Sequence, residues 1–149
     1  MNDGPDLLQS EQRFVWPVRV YYEDTDSAGI VYYANYLRYF ERARTEWLRA
    51  LGFEQTDLAA QHHVVFVVRA IHVEYLFAAR FNDALNISVE LEHVGAGQIT
   101  VQQHVLRGDS TLVEAVVRLA CVNIGAMKAV RIPQPLSTKL SERIRIKTT

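Results

Sequence analysis

Hydrophobic residues recur along this chain with two different periods. Tyr36, Phe40, Ala43, Trp47 and Leu51 follow one another at spacings of four, three, four and four, which sets them on one face of a helix. Leu37, Leu48 and Ala50 widen that face. Arg38, Arg42, Glu46 and Arg49 fall elsewhere on the cylinder, and Gly52 stands where a helix ends. The pattern predicts a helix from Ala34 to Leu51. Further on the period drops to two. Leu85, Ile87, Val89 and Leu91 alternate with Asn86, Ser88, Glu90 and Glu92, the mark of a strand with one wet face. Ile99, Val101 and Val105 continue the alternation after the turn Gly95-Ala96-Gly97. Val113, Ala115, Val117, Leu119 and Cys121 form another inward row after the hairpin turn Arg107–Ser110.

Less regular segments complete the order. Phe14–Tyr22 reads as a strand, with Pro17 marking an edge or a bulge. Val64–Tyr75 is a Val-rich strand, Asp57–His62 a short helix, and Ser137–Ile144 a short amphipathic helix after Pro133 and Pro135. One strand, one long helix and then four antiparallel strands is an α+β arrangement, a curved sheet around a helix, and not a βαβ array. The outer face of such a sheet stays partly apolar, so a homo-oligomer is expected. Residues 1–12 read as a polar tail and 13–149 as a single domain.

Composition narrows the function. The chain has 149 residues, 49% apolar and 22% charged, with a formal net charge of −1. That is an ordinary globular composition, and it gives no case for nucleic acid as a partner. No stretch reaches the roughly 20 apolar residues of a membrane span. No signal-peptide pattern opens the chain, so the cytoplasm is the expected location. The single cysteine, Cys121, excludes an internal disulfide and a multi-cysteine zinc site, and its apolar surroundings make it a core residue. None of the five histidines forms a metal-like pair at helical spacing. The adjacent His62 and His63 would point apart on a strand.

The chemistry concentrates in Tyr21–Leu51. A strand end is followed by Glu23, Asp24 and Asp26, then Gly29, then the first turn of the long helix. That turn has unpaired backbone N–H groups near Tyr33–Tyr36 and the positive end of the helix dipole, about half a charge. A carboxylate facing such a helix end makes half of a hydrolytic site. One group attacks or activates water, and the other polarises a carbonyl. Glu23 and Asp24 read as a solvated turn or as partners of the dipole. Tyr32, Tyr33 and Tyr36 read as core, interface or pocket lining.

The run Asp24-Thr25-Asp26-Ser27-Ala28-Gly29-Ile30-Val31-Tyr32-Tyr33-Ala34-Asn35-Tyr36 resembles the signature of the 4-hydroxybenzoyl-CoA thioesterase family of hotdog proteins. Phe40-Glu41-Arg42-Ala43-Arg44-Thr45-Glu46, Val73-Glu74-Tyr75 and Ala79-Arg80-Phe81-Asn82-Asp83 resemble its acyl-CoA thioesterase subgroup associated with the Tol–Pal system. The resemblance spans about residues 14–125 and implies a hotdog fold and hydrolysis of an acyl thioester. By it, Asp26 is the catalytic nucleophile or general base, and the Tyr33 N–H polarises the thioester carbonyl. Gly29 permits the tight loop, and Phe66-Val67-Val68 walls the pantetheine arm. Tyr32, Tyr33, Tyr36 and Phe66 suit an aromatic acyl group or wall off a short aliphatic one. The site forms between subunits, and many members are dimers of dimers. Coenzyme A enters as part of the substrate, so no separate cofactor is implied.

Two departures stand out. The Tol–Pal subgroup usually carries histidine where this chain has Tyr33. The Gly95-Ala96-Gly97 turn lacks the arginines or lysines that often grip the nucleotide phosphates, leaving only backbone N–H groups to form an anion nest. Acyl carrier protein is therefore the alternative thiol carrier, and a non-catalytic acyl-CoA or carrier-protein binder is the alternative class. The Asp24-Thr25-Asp26 run also fits the nucleophile of haloacid-dehalogenase phosphatases. That fold needs alternating strands and helices, which the second half of this chain lacks.

Overall fold

The computed structural model describes residues 13–148, with side chains to residue 144; the expected tail at 1–12 lies outside the described residues. Strand β1 (Arg13–Arg19) leads through a short 3-10 turn at Tyr22–Asp24 to helix α1 (Asn35–Ala50) and helix α2 (Gln55–His62). Strands β2 (Val64–Tyr75), β3 (Ala84–Val94), β4 (Gln98–Arg107) and β5 (Ser110–Asn123) follow, then helix α3 (Gln134–Thr148). The strands form one antiparallel sheet in the order β1-β3-β4-β5-β2, and α1 lies against β3 and β1. This is the α+β hotdog arrangement. Pro17 sits on an edge strand, opposite Asn86, where its missing N–H breaks no ladder.

The period-two rows all face inward. Leu85, Ile87, Val89 and Leu91 of β3 are buried, as are Ile99, Val101 and Val105 of β4 and the row Val113 to Cys121 of β5. On α1, Tyr36, Phe40, Ala43, Trp47 and Leu48 are buried with Leu51 just beyond. Leu37 and Ala50, expected to widen this face, are exposed, and Tyr39 is buried in their place. Gln103 is a fully buried polar residue in the inward row of β4. Its amide donates to the carbonyls of Phe40 and Ser88, and its oxygen accepts from Arg44 at 3.0 Å. Polar bonds thus fix the position of α1 over the sheet as well as packing. Burial lowers the Arg44 pKa.

Helix α1 ends in a Schellman motif. The Phe53 N–H reaches the Leu48 carbonyl, the Gly52 N–H reaches that of Arg49, and Gly52 takes φ +99°. His62 closes α2, where the expected helix over Asp57–His62 ends, and His63 caps it in the left-handed region, so neither stands on a strand. The C-terminal helix begins at Gln134, three residues before the expected start. Pro135 fits its first turn, where no N–H partner is needed.

Residues 129–132 run along β5 beyond the end of β4. The Val130 N–H donates to Cys121, and the Ile132 N–H donates to Ala96. A Cβ at position 97 would lie 2.8 Å from the Val130 carbonyl oxygen, so glycine is required there for close approach. The Gly95–Gly97 turn therefore seats the C-terminal segment. Cys121 is buried, and burial raises its thiol pKa.

Candidate active site

The chain leaves β1 through the buried Val20 and turns sharply at Tyr22–Asp24. Thr25 then pairs with Val31 across a tight reversal. Within it the Asp26 N–H donates to Ile30, and the Gly29 N–H donates to the Asp26 carbonyl. Gly29 has φ +80°, a conformation that glycine takes without a Cβ penalty. One carboxylate oxygen of Asp26 accepts the Ala28 N–H at 2.9 Å, and the side chain is solvent-exposed. Its second oxygen has no protein partner among the described residues.

The other side of the reversal runs into α1. The Tyr32 N–H donates to the Asp24 carbonyl, and the Asn35 N–H donates to that of Tyr32. Between them, the Tyr33 N–H donates to no group among the described residues. Ala34 occupies the cap position without a capping side chain, and the first turn holds no acidic residue. The start of α1 thus leaves the Tyr33 N–H open beside the Asp26 loop, at the positive end of the helix dipole. Asp26 and Tyr33 flank this one junction.

Of the two readings of Asp24, a solvated turn and a partner of the helix dipole, the first is overturned. Asp24 is only 6% exposed. Its carboxylate accepts the Tyr21 N–H at 2.8 Å and the Asn35 side-chain amide at 2.9 Å. Bonds between residues close in sequence bury it, and hydrophobic periodicity does not register them. The loop from Leu76 to Asp83 forms a second support. The Val31 N–H donates to Ala79, Ile30 pairs with Arg80, and the Ala79 N–H donates to the Tyr36 hydroxyl at 3.0 Å. Asp83 braces this loop by accepting from the Arg80 N–H and from Arg107 at 2.8 Å.

The tyrosines divide. Tyr36 is buried, while Tyr32 and Tyr33 are exposed. Tyr33 meets Tyr75 of β2 edge-on at 6.1 Å, and Tyr36 lies beneath Tyr75 at 5.8 Å. Tyr75 is missing from the expected set, because nothing local connects the end of β2 to the helix N-terminus. Burial raises the Tyr36 and Tyr75 pKa values, and the hydrogen bond that the Tyr32 hydroxyl donates to Tyr33 raises that of Tyr32, so these phenols stay neutral.

Phe66 and Val67 are half-buried on β2, and Val68 is exposed. They stand far from Tyr33 within one chain. Nine residues separate Phe66 from Tyr75, roughly 30 Å along an extended strand. Within one chain the fold does not bring Phe66–Val68 to Asp26. Two surface depressions are present, one on the sheet and one beside the Tyr22–Asp24 turn. One of about 260 Å³ is lined by His72, Glu74, His104 and Glu114, and one of about 220 Å³ by Trp16, Arg19, Asp24 and Arg42. Among the described residues no three His, Cys, Asp or Glu side chains converge as metal ligands, and no helix is long and apolar enough to cross a membrane.

Comparison with known proteins identifies the family. The chain is 45% identical over 121 residues to the acyl-CoA thioesterase YbgC of Haemophilus influenzae, covering 81% of this chain and 89% of that protein. It is 42% identical over 130 residues to the acyl-CoA thioester hydrolase YbgC of Escherichia coli, covering 87% and 96%. A probable thioesterase from Bartonella henselae superposes with a TM-score of 0.78 at 35% identity, covering 81% of this chain and 99% of that one. A DHNA-CoA thioesterase from Staphylococcus aureus shares the fold alone, with a TM-score of 0.83 at 17% identity over 91% and 93% of the two chains. The family model of the thioesterase-like superfamily matches residues 20–140, and the chain belongs to that superfamily.

Proposed function

We propose that this chain hydrolyses acyl-coenzyme A thioesters to the free acid and the coenzyme A thiol, consuming one water. Asp26 acts as nucleophile or general base, and the Tyr33 N–H polarises the thioester carbonyl. The observation that carries this reading is the pairing of an exposed carboxylate, one oxygen unpartnered, with a backbone N–H left unpaired at the positive end of α1. As charge develops on the thioester oxygen, that N–H and the dipole stabilise it. A donor of this kind contributes about 2.7–4 kcal/mol. In the nucleophilic route Asp26 displaces the thiolate and water cleaves the resulting anhydride. In the general-base route Asp26 takes a proton from the attacking water. The relatives named as acyl-CoA thioester hydrolases support the substrate class.

The acting unit in this reading is a homo-oligomer. Val68, Ile71 and Tyr75 are exposed on β2, an edge strand, and an exposed apolar edge invites pairing with a second copy. Antiparallel pairing of two β2 strands would carry Phe66, Val67 and Val68 of one subunit toward Tyr75 and Tyr33 of the other. There they would wall the pantetheine arm. Gly29 shapes the loop, Tyr32 borders the acyl group, and Tyr36 supports Tyr75 from beneath. The uncharged Gly95–Gly97 turn favours a second reading, in which acyl carrier protein is the thiol carrier.

Thiol release from short, long and aromatic acyl-CoAs tests the assignment, with Asp26→Asn beside the wild type. The expected result is an Asp26→Asn variant with unchanged oligomeric state and a kcat lowered at least roughly 100-fold. Wild-type turnover in that variant would remove Asp26 from the chemistry. Tyr33→Phe should be mild, because the backbone donor survives. Release only from carrier-protein thioesters would establish the second reading.

A further inference from the structure

We propose that Asp24 is the positioning residue of this site, a buried carboxylate that fixes the distance between Asp26 and the Tyr33 N–H. The inference rests on the roles proposed for those two groups. Among the described residues Asp24 is the one acidic or basic side chain in the buried class. Burying a carboxylate costs several kcal/mol unless donors surround it, and here the donors come from both sides of the reaction centre. The Tyr21 N–H marks the end of the β1 arm, and the Asn35 amide marks the first turn of α1. The Asp24 carbonyl takes the Tyr32 N–H at 3.0 Å and the same Asn35 amide at 3.4 Å. Asp24 therefore holds the residue immediately before Tyr33 and the residue two after it, and itself stands two residues before Asp26.

A further group faces the same carboxylate. The Tyr39 hydroxyl, one turn along α1, is buried without a hydrogen-bond partner. Burial, and after it the nearby Asp24 charge, raise the Tyr39 pKa well above that of an ordinary phenol. It therefore stays a neutral O–H beside the carboxylate. Asp24 directs its oxygens to the Asn35 side chain and to Tyr21, not to the Tyr33 N–H. It anchors the helix end while leaving that donor available for a substrate oxygen. Direct chemistry by Asp24 does not fit, since its side chain is enclosed and its oxygens are engaged.

The test compares Asp24→Asn, Asn35→Ala and Asp26→Asn with wild type, using an acyl-CoA that the wild type cleaves, well below every melting temperature. An amide at position 24 would turn an N–H onto a donor, and alanine at 35 removes the helix-side link. Misplacing a reacting group by about 1 Å costs on the order of 100-fold. Both variants should thus lose about 10- to 100-fold in kcat with KM nearly unchanged, and circular dichroism should show an intact fold. If Asp24→Asn fails to fold, Asn35→Ala carries the test, because it leaves the carboxylate in place. Wild-type kcat in Asn35→Ala, or a rise in KM alone, overturns the proposal. Full activity in Asp26→Asn overturns the catalytic reading beneath it, so the two failures are distinguishable.

Discussion

At its C-terminal end α1 is closed by its own backbone. The Leu48 and Arg49 carbonyls take the Phe53 and Gly52 N–H groups, and Arg49 bonds Glu46 and Glu54 across the last turn. At its N-terminal end Ala34 supplies no cap, no acid sits in the first turn, and the Tyr33 N–H stays open. A good N-cap is typically worth about 1 kcal/mol, and this helix forgoes it. The N-terminal end is instead held through Asp24, Asn35 and the Tyr36–Ala79 bond. One end of the helix uses its polar groups for stability. The other delegates stability to neighbouring segments and keeps its donors free.

The contrast can be broken at its most telling point by replacing residue 33 with the α-hydroxy acid analogue of tyrosine. That change deletes the N–H and weakens the Tyr32 carbonyl, which accepts the Asn35 N–H. The expected outcome is a kcat loss of about 100- to 1,000-fold with only a small fall in melting temperature, read by thiol release and calorimetry. Tyr36→Phe attacks the substitute support instead. It leaves the buried Ala79 N–H without its acceptor and should cost about 1–3 kcal/mol in urea unfolding, with a smaller loss of rate. Gly52→Ala strikes the closed end. A Cβ at φ +99° meets no neighbour within 4 Å, so the cost is backbone strain alone, about 1–2 kcal/mol, with kcat unchanged.

A pH titration gives the smallest effect. Burial raises the Asp83 pKa, but the Arg80 N–H and Arg107 together outweigh it and hold the group below its ordinary 3.8. The stability this adds is complete above that ordinary value and is lost as pH falls through the folded-state value. Arg107→Gln should therefore weaken the N-terminal support most clearly near neutral pH and flatten the acid limb of stability. Urea melts from pH 7 to pH 3 would record it.

The periodic parts of this fold are readable in the sequence because burial there follows the geometry of one element. The inward rows of β3 and β5 and the main face of α1 are such cases. Leu37 and Tyr39 show where that reasoning stops: which edge of a helix is covered depends on the sheet beneath it. Asp26, Gly29 and Tyr33 stand out locally because acid, glycine and helix start lie within one short run. Asp24 and Tyr75 do not. One is buried by hydrogen bonds that a hydrophobicity pattern ignores, and the other reaches Tyr33 only after β2 has paired with β5. Gln103 broke the alternation of β4 visibly, but its partners on α1 could not be inferred from position alone.

The attachment of β1 has a kinetic consequence. Arg19, at its end, bonds the Asn82 carbonyl 63 residues along the chain, and the strand pairs with β3 alone. Bringing such distant segments together carries a loop-closure penalty that local helix formation does not, and non-local pairing slows folding. The Asp26 loop hangs from that strand. During refolding, α1 can form early while the Asp26 loop is still unplaced, so the activity proposed for that loop should return only when β1 docks, after most of the helical signal has recovered.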